Sequence, residues 1–501
     1  MTSKGSRSIL HHARRELAEM VLGQAIGVLG GNPDRNARYL IRAIDHIARG
    51  EKQGLIREWV HGWLGEGRPG RQFLHRLSEH THPNVRRRYI ARMVVSMLFR
   101  DPEVGERCFQ RYGVTPPYTM LISPTMRCNY CCQGCDASSY ERKDDMPPDL
   151  FHRALSEAED MGMNFFIVLG GEPFVYPHLL DVIARHDRSF FQVYTNGSFI
   201  DEAMARRLAE LGNVAPQVSV NGPPQYTDAS RGQGSFDQVM QAMDNLRLAG
   251  CVFGFSTLVT RGNLDAICSE EWIDLLIDKG ALYGWLFLYM PVGSEPNPSL
   301  MPTPEQRNKL RAVMRHYRQT KPILPIDFWN DGTLTGGCIA GGRLYFHVNH
   351  RGDVEPCIFC HFATHNINEC TLAEALASPF FMTIKESQPF SYNTLRPCPM
   401  IDHPQTMWSI IQQHGARPTH DGAEQMFTTL ADDMQGYADG VQEIMDEVWD
   451  GEDYHDWAAR WTAMCGIPPE RFEARRQAYE ESRGRRRARS NVLGRVHSTP
   501  G

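Results

Sequence analysis

The chain has 501 residues, of which 42% are hydrophobic and 22% charged, with a formal net charge of −6. This composition excludes a wholly disordered chain, a collagen-like chain and a coiled-coil rod, and the length allows about two to four domains. No run approaches the ~18 consecutive apolar residues of a membrane-spanning helix, and the first thirty residues hold no signal-peptide core, so a cytoplasmic protein is expected.

Charge is unevenly spread. Residues 1–115 carry 20 Lys/Arg against 11 Asp/Glu, which is +9 and leaves −15 for the remainder. A basic segment can face an acidic partner, substrate or lipid surface, and it can equally be a solvated arginine-rich helical surface. Leu10, Leu17, Val21, Ile26 and Leu29, then Leu40, Ile41, Ile44 and Ile47, then Val94, Val95, Met97 and Leu98 recur near helical spacing, so 1–115 is expected as a helical basic domain.

From Tyr118 the pattern changes. Apolar runs at 118–123, 164–169, 190–194, 214–220, 252–259 and 284–290 alternate with amphipathic segments near 148–161, 177–185, 201–211, 235–249 and 269–279. Six buried strands alternating with helices predict an α/β fold, a partial (β/α)6 TIM-type barrel over 116–300. Residues 301–335 read as a helix and connection. Residues 336–405 form a small Cys-rich extension with strand-like pieces at 343–348 and 353–356. A helical C-terminal region follows at 406–482, and 483–501 reads as a basic disordered tail in which nucleic-acid binding is disfavoured.

Thirteen cysteines, an odd number, argue for metal or chemistry rather than a disulfide framework. Cys128, Cys132 and Cys135 follow the first strand with C-x3-C-x2-C spacing, while Cys131 offers a C-x2-C alternative. Three thiolates on one loop can hold three irons of a [4Fe–4S] cluster and leave the fourth open; a zinc knuckle or redox dithiol is the competing reading. Successive strand ends then carry Gly170-Gly171-Glu172, Thr195-Asn196-Gly197, Ser219-Val-Asn221, and Arg231. A carboxylate can receive an ammonium, hydroxyl and amide groups suit a ribose, and Arg231 can clamp a carboxylate. Loops at strand C-terminal ends converge on one mouth.

With these motifs in that order, residues 118–290 resemble the radical S-adenosylmethionine (SAM) enzymes. The resemblance implies Cys128, Cys132 and Cys135 as ligands of the SAM-binding [4Fe–4S] cluster. It implies Gly170, Gly171, Glu172, Thr195, Asn196, Ser219, Asn221 and Arg231 as SAM contacts. Two departures stand out: Gly134 precedes the third cysteine where an aromatic is common, and Asn221 replaces a common acidic residue. Cys338-x13-Gly352-x4-Cys357 resembles the opening of the SPASM and twitch extensions, which implies an auxiliary [4Fe–4S] cluster. Cys338, Cys357, Cys360 and Cys398 are its expected ligands, with Cys370 or His361 as substitutes for Cys360, and zinc as the alternative occupant.

The expected activity is reductive SAM cleavage and hydrogen abstraction, leading to oxidation or bond formation in a small molecule or lipid. The alternatives are a peptide- or protein-modifying maturase and a non-catalytic iron–sulfur or zinc scaffold. An electron donor such as flavodoxin or ferredoxin is implied. No residue is singled out as catalytic.

Overall fold

The computed structural model describes residues 33–47, 51–89, 92–93, 102–143, 145–452 and 454–496. Leu10, Leu17, Val21, Ile26, Leu29 and residues 94–98, on which part of the helical reading rests, lie outside them.

Seven parallel strands stand side by side in chain order: β1 (Thr119–Ile122), β2 (Phe165–Val168), β3 (Phe190–Thr195), β4 (Val214–Ser219), β5 (Gly254–Val259), β6 (Tyr283–Leu288) and β7 (Leu324–Asp327). β2 is apolar and buried at every position, as a strand covered on both faces must be. Helices such as Glu202–Leu211 and Ser235–Ala249 cross between strands and end on left-handed glycines, Gly212 and Gly250. The sheet is not closed, as a partial barrel requires, but it is wider than six strands. The seventh strand falls inside 301–335, where a helix and connection are expected. Its sequence, Leu-Pro-Ile-Asp, is short, and Pro325 cannot donate to a ladder, which suits the sheet edge that β7 forms.

The Cys-rich extension joins the other edge. β8 (Tyr345–Val348) pairs parallel with β1, and β9 (Val354–Glu355) folds back antiparallel on β8. Gly352, with φ at 88°, turns this hairpin.

The helices Pro69–Glu79 and Pro83–Arg88 pack at the end of the sheet where the strands begin. Arg76 donates to Ile277 O and Pro322 O, both at 2.7 Å, and to Ala281 O at 2.9 Å; Asn84 Nδ2 donates to Glu210 O at 2.8 Å. These carbonyls cluster at helix C-termini and the segments that enter β4, β6 and β7, so a cation there satisfies orphan acceptors. The strand C-terminal ends, where the motifs lie, are left to other elements.

Those elements are C-terminal. Helices Pro404–Gln413, Ala431–Gly451 and His455–Met464 pack beside the extension, and Tyr392, Val441, Met445, Trp449 and Phe472 form a second small core. A final helix runs from Pro469 to Val496, so residues 483–496, expected as a disordered tail, continue a helix. Pro469 starts it, Arg476 pairs with Glu473 and Glu480, and Arg and Ala are good helix formers, which the tail reading undervalued.

One buried ion pair ties the barrel to the extension. Arg307, in the helix Pro304–Thr320, donates to Asp402 at 2.6 and 3.2 Å, to Asn330 Oδ1 at 3.1 Å and to Leu395 O at 3.1 Å, with both charged side chains wholly buried. Asp402 Oδ2 also accepts from the Cys398 N–H at 2.9 Å. Removing one partner strands the other charge in the interior. Asp402→Ala is therefore expected to lower unfolding stability by about 3–5 kcal/mol, read from the urea midpoint, with Asp402→Asn costing less.

Candidate functional site: two cysteine sets at the strand ends

The loop after β1 is pinned before its cysteines begin. Arg127 and Thr125 both bond the Asp145 carboxylate, and Met146 N–H donates to Pro124 O at 2.7 Å, which closes the loop at its base. The loop after β2 then lies directly against it. Gly171 N–H donates to Thr125 O at 2.9 Å and Glu172 N–H to Arg127 O at 2.8 Å. A Cβ on Gly170 would lie 2.1 Å from Thr125 O, and one on Gly171 would lie 2.2 Å from Arg127 O. The glycine pair thus permits backbone to approach backbone, a use that spacing alone does not distinguish from approach of a ligand.

Cys128, Cys132 and Cys135 are close enough for charge on one to disfavour charge on another, and burial pushes all three thiols up, Cys135 to about 12. Cys131 is exposed and takes a hydrogen bond from Arg142 at 3.3 Å. Gln133 N–H donates to Ser230 O at 2.8 Å, which brings the helix Pro224–Arg231 and its last residue to the loop.

Around these thiols stand the other expected contacts. Glu172 is fully buried; Oε1 accepts from Phe174 N–H at 3.1 Å and the Thr195 hydroxyl at 2.9 Å, and Oε2 from Asn196 N–H at 2.7 Å. Burial raises its pKa to about 7 despite these bonds. Three of about four acceptor positions are in use, which leaves one for an ammonium. Asn196 Nδ2 reaches Asn129 Oδ1 at 2.8 Å. Ser219 Oγ meets Ser256 Oγ at 3.0 Å at the end of β4. Arg231 exerts its charge on Glu172, Tyr130 and Cys132, and its Nε is buried without a hydrogen-bond partner among the described residues. The Asn221 side chain, like the Thr195 hydroxyl, is engaged by the protein itself: Oδ1 accepts from Leu258 N–H at 3.1 Å and Nδ2 donates to Ser230 Oγ at 3.0 Å, so it braces the loop.

The second set is gathered from farther apart. Cys338, Cys357, Cys360 and Cys398 all line one cavity of ≈ 120 Å³ with Trp285, Phe328 and Trp329. Cys357 and Cys360 face each other across a two-residue bridge. Burial raises their thiols, Cys338 to about 11 and Cys357 to about 12, so loading a metal must expel protons. The proposed substitutes point elsewhere. Cys370 bonds Asn366 O at 3.3 Å, and His361 is held by Ile358 O at 2.6 Å and His420 Nε2 at 2.5 Å. Among the described residues, no three His, Cys, Asp or Glu donors are already drawn into a closed metal cage.

Sequence reading missed the residues that connect the two sets. Tyr140 donates to Glu355 Oε1 at 3.0 Å; Glu355 also accepts from Thr419 at 2.5 Å and pairs with His347 at 2.6 Å, whose other nitrogen meets Ser123 Oγ at 2.8 Å. No local spacing announces contacts between residues this distant in the chain. A row of rings also runs across the barrel interior: Tyr194 to Phe287 (6.0 Å), Phe287 to Phe328 (5.3 Å), Phe328 to Trp329 (5.0 Å) and Trp329 to Phe359 (5.4 Å).

The glycine contact makes a direct demand. Gly171→Ala must displace the cysteine-loop backbone, a strain of about 1–3 kcal/mol. Iron taken up per chain on anaerobic reconstitution is expected to fall while far-ultraviolet circular dichroism is unchanged.

Residues 122–269 match the model of the Radical SAM superfamily. The mycofactocin maturase MftC of Mycobacterium tuberculosis is 30% identical over 281 residues, 52% of this chain and 69% of the relative. The AdoMet-dependent heme synthase of Nitratidesulfovibrio vulgaris is 26% identical over 282 residues, 50% of this chain and 76% of the relative. The PqqA peptide cyclase of Streptomyces rochei is 27% identical over 278 residues, 51% and 71% of the two chains.

Proposed function

The chain belongs to the radical SAM superfamily, and from that premise we propose that it cleaves SAM reductively and oxidises or crosslinks a substrate held between its two cysteine sets. The observation that carries this reading is the convergence of Arg231, Glu172 and the three cysteines at one mouth, with Arg231 Nε buried and, among the described residues, unpartnered. The donor set fits an iron–sulfur cluster and SAM. Cys128, Cys132 and Cys135 would hold three irons of a cluster, and Arg231 and Glu172 offer a cation and an acceptor for a carboxylate and an ammonium. Asn196 and Ser219 stand where hydroxyls would be met. When bound, the cluster and SAM would supply the radical chemistry that removes a hydrogen atom from the substrate.

The protein's own part is to orient and to exclude water. Thr195 and the Asn196 backbone hold Glu172 in place, and Asn221 and Ser230 hold the helix that ends in Arg231. The rings on β6 and β7 make an interior that shields a radical from solvent. Cys338, Cys357, Cys360 and Cys398 would carry an auxiliary cluster of the SPASM or twitch kind, placed to receive an electron or to bind substrate.

For the substrate we take a peptide as the first reading, because two of the three named relatives are a maturase and a peptide cyclase. A small molecule or lipid is the second, and the heme synthase relative favours it. The helical character of the described residues before Tyr112 also favours the second reading, since it offers no strand for a peptide to extend.

Anaerobic protein reconstituted with iron and sulfide, reduced and given SAM is expected to release 5′-deoxyadenosine. Cys132→Ala is expected to abolish release and remove about four irons per chain; unchanged release would overturn the ligand assignment. Arg231→Ala is expected to weaken SAM binding by about 1.5–3 kcal/mol in equilibrium dialysis, and an unchanged dissociation constant would refute its role. Cys357→Ala is expected to leave the three-cysteine cluster in place while the remaining iron is lost.

A further inference from the structure

Gly134, the residue before Cys135, has φ at 74°. A Cβ built on it would lie 2.8 Å from Cε2 and 3.1 Å from Cδ2 of Tyr289. Tyr289 directly follows β6 and is wholly buried. Its N–H donates to Val259 O at 2.8 Å, and its hydroxyl accepts from the Asn297 N–H at 3.0 Å, which closes residues 289–297 into a ring.

The same loop reaches the cysteine loop twice more. Gly293, with φ at 99°, comes so close that a Cβ would stand 2.5 Å from Cys135 O and 2.7 Å from Ser138 Oγ. Ser294 N–H donates to Ser138 Oγ at 2.9 Å, and the Ser138 hydroxyl donates to Cys135 O at 2.7 Å. Three consecutive contacts thus bracket Cys135: a ring on the residue before it, a glycine on its carbonyl, and a serine pair just after it.

We infer that the loop after β6 is a clamp on the third cysteine, with Tyr289 a positioning residue whose ring fills the place a side chain at 134 would take. The left-handed glycine shapes the turn but contributes no packing of its own, and the ring arrives from another strand to supply it. Among the described residues the Tyr289 hydroxyl bonds only within its own loop, so the ring, and not the phenol, does the positioning. This inference rests on the proposed cluster at Cys128, Cys132 and Cys135, and concerns how the chain holds it.

The test uses full-length protein reconstituted with iron and sulfide. Tyr289→Phe keeps the ring and is expected to stay within about twofold of the parent in SAM dissociation constant. Tyr289→Leu is expected to raise that constant about tenfold and to alter the electron paramagnetic resonance signal of the reduced protein on SAM addition. KM for SAM should rise more than kcat falls. Gly134→Ala both strains a left-handed backbone and presses a methyl onto the ring edge, and is expected to lose iron; Gly134→Ala with Tyr289→Leu is expected to recover part of it, because the second change relieves the contact though not the backbone strain. The clamp is overturned if Tyr289→Leu leaves both the dissociation constant and the spectrum at parental values, if Tyr289→Phe is as damaging as Tyr289→Leu, or if the Gly134 and Tyr289 effects on iron content simply add. If Tyr289→Leu does not accumulate as folded protein, Gly134→Ala in the parent chain carries the iron and spectral readouts alone, and parental values there reject the clamp. A parent protein that takes up iron but never cleaves SAM would end the functional reading, while the iron contents of the Gly134 and Tyr289 variants would still decide the clamp.

Discussion

The approach of two backbones underlies the rest of this site. Gly171 and Glu172 donate their N–H groups to the carbonyls of Thr125 and Arg127, and neither bond could form if position 170 or 171 carried a side chain. Those two bonds seat the cysteine loop on the end of β2. They also aim the Glu172 carboxylate back at Thr195 and Asn196 on the end of β3. Three strand ends are locked together by one glycine pair, and the thiols, the carboxylate and the amide then share a mouth.

The interior divides into two faces. Toward β3, β4 and β5 it presents Tyr194, Gln217, Ser219 and Ser256, groups that can meet hydroxyls and charges. Toward β6 and β7 it presents Trp285, Phe287, Ile326 and Phe328, which lead by way of Trp329 and Phe359 to the second cysteine set. Charge can be handled on one side while the other stays dry, the division of labour a reactive intermediate needs. The polar network of Tyr140, Glu355, His347 and Ser123 runs beside this interior and holds the extension at a set distance from the cysteine loop.

Much of this was legible in the chain. The apolar runs of β1 to β6 named themselves, since a strand such as Phe165-Phe-Ile-Val168 has no polar alternative but burial on both faces. The two cysteine patterns stand out in the chain because thiol spacing reflects the reach of a loop, and the fold gathers Cys338, Cys357, Cys360 and Cys398 around one cavity. Other features were hidden for physical reasons. Leu324-Pro-Ile-Asp327 is too short to show a period, and its proline argues against a strand anywhere except an edge. Asn221 has a chemistry that suits a ligand, yet it sits where a backbone N–H and a serine claim both of its polar atoms. Gly134 read as a missing aromatic; only the fold shows that Tyr289 stands over it.

The pairing of β8 with β1 has a consequence for how this protein is divided. β1 launches the first cysteine loop, and its outer edge is covered by residues 345–348 of the extension. Cut away the extension and the strand beneath the first cysteine loop becomes an open edge, with N–H and C=O groups presented to any neighbouring chain. The second cysteine region is therefore not an accessory bolted onto a finished barrel. It is the barrel's last stave, and a fragment ending before it would be prone to pair with its own copies.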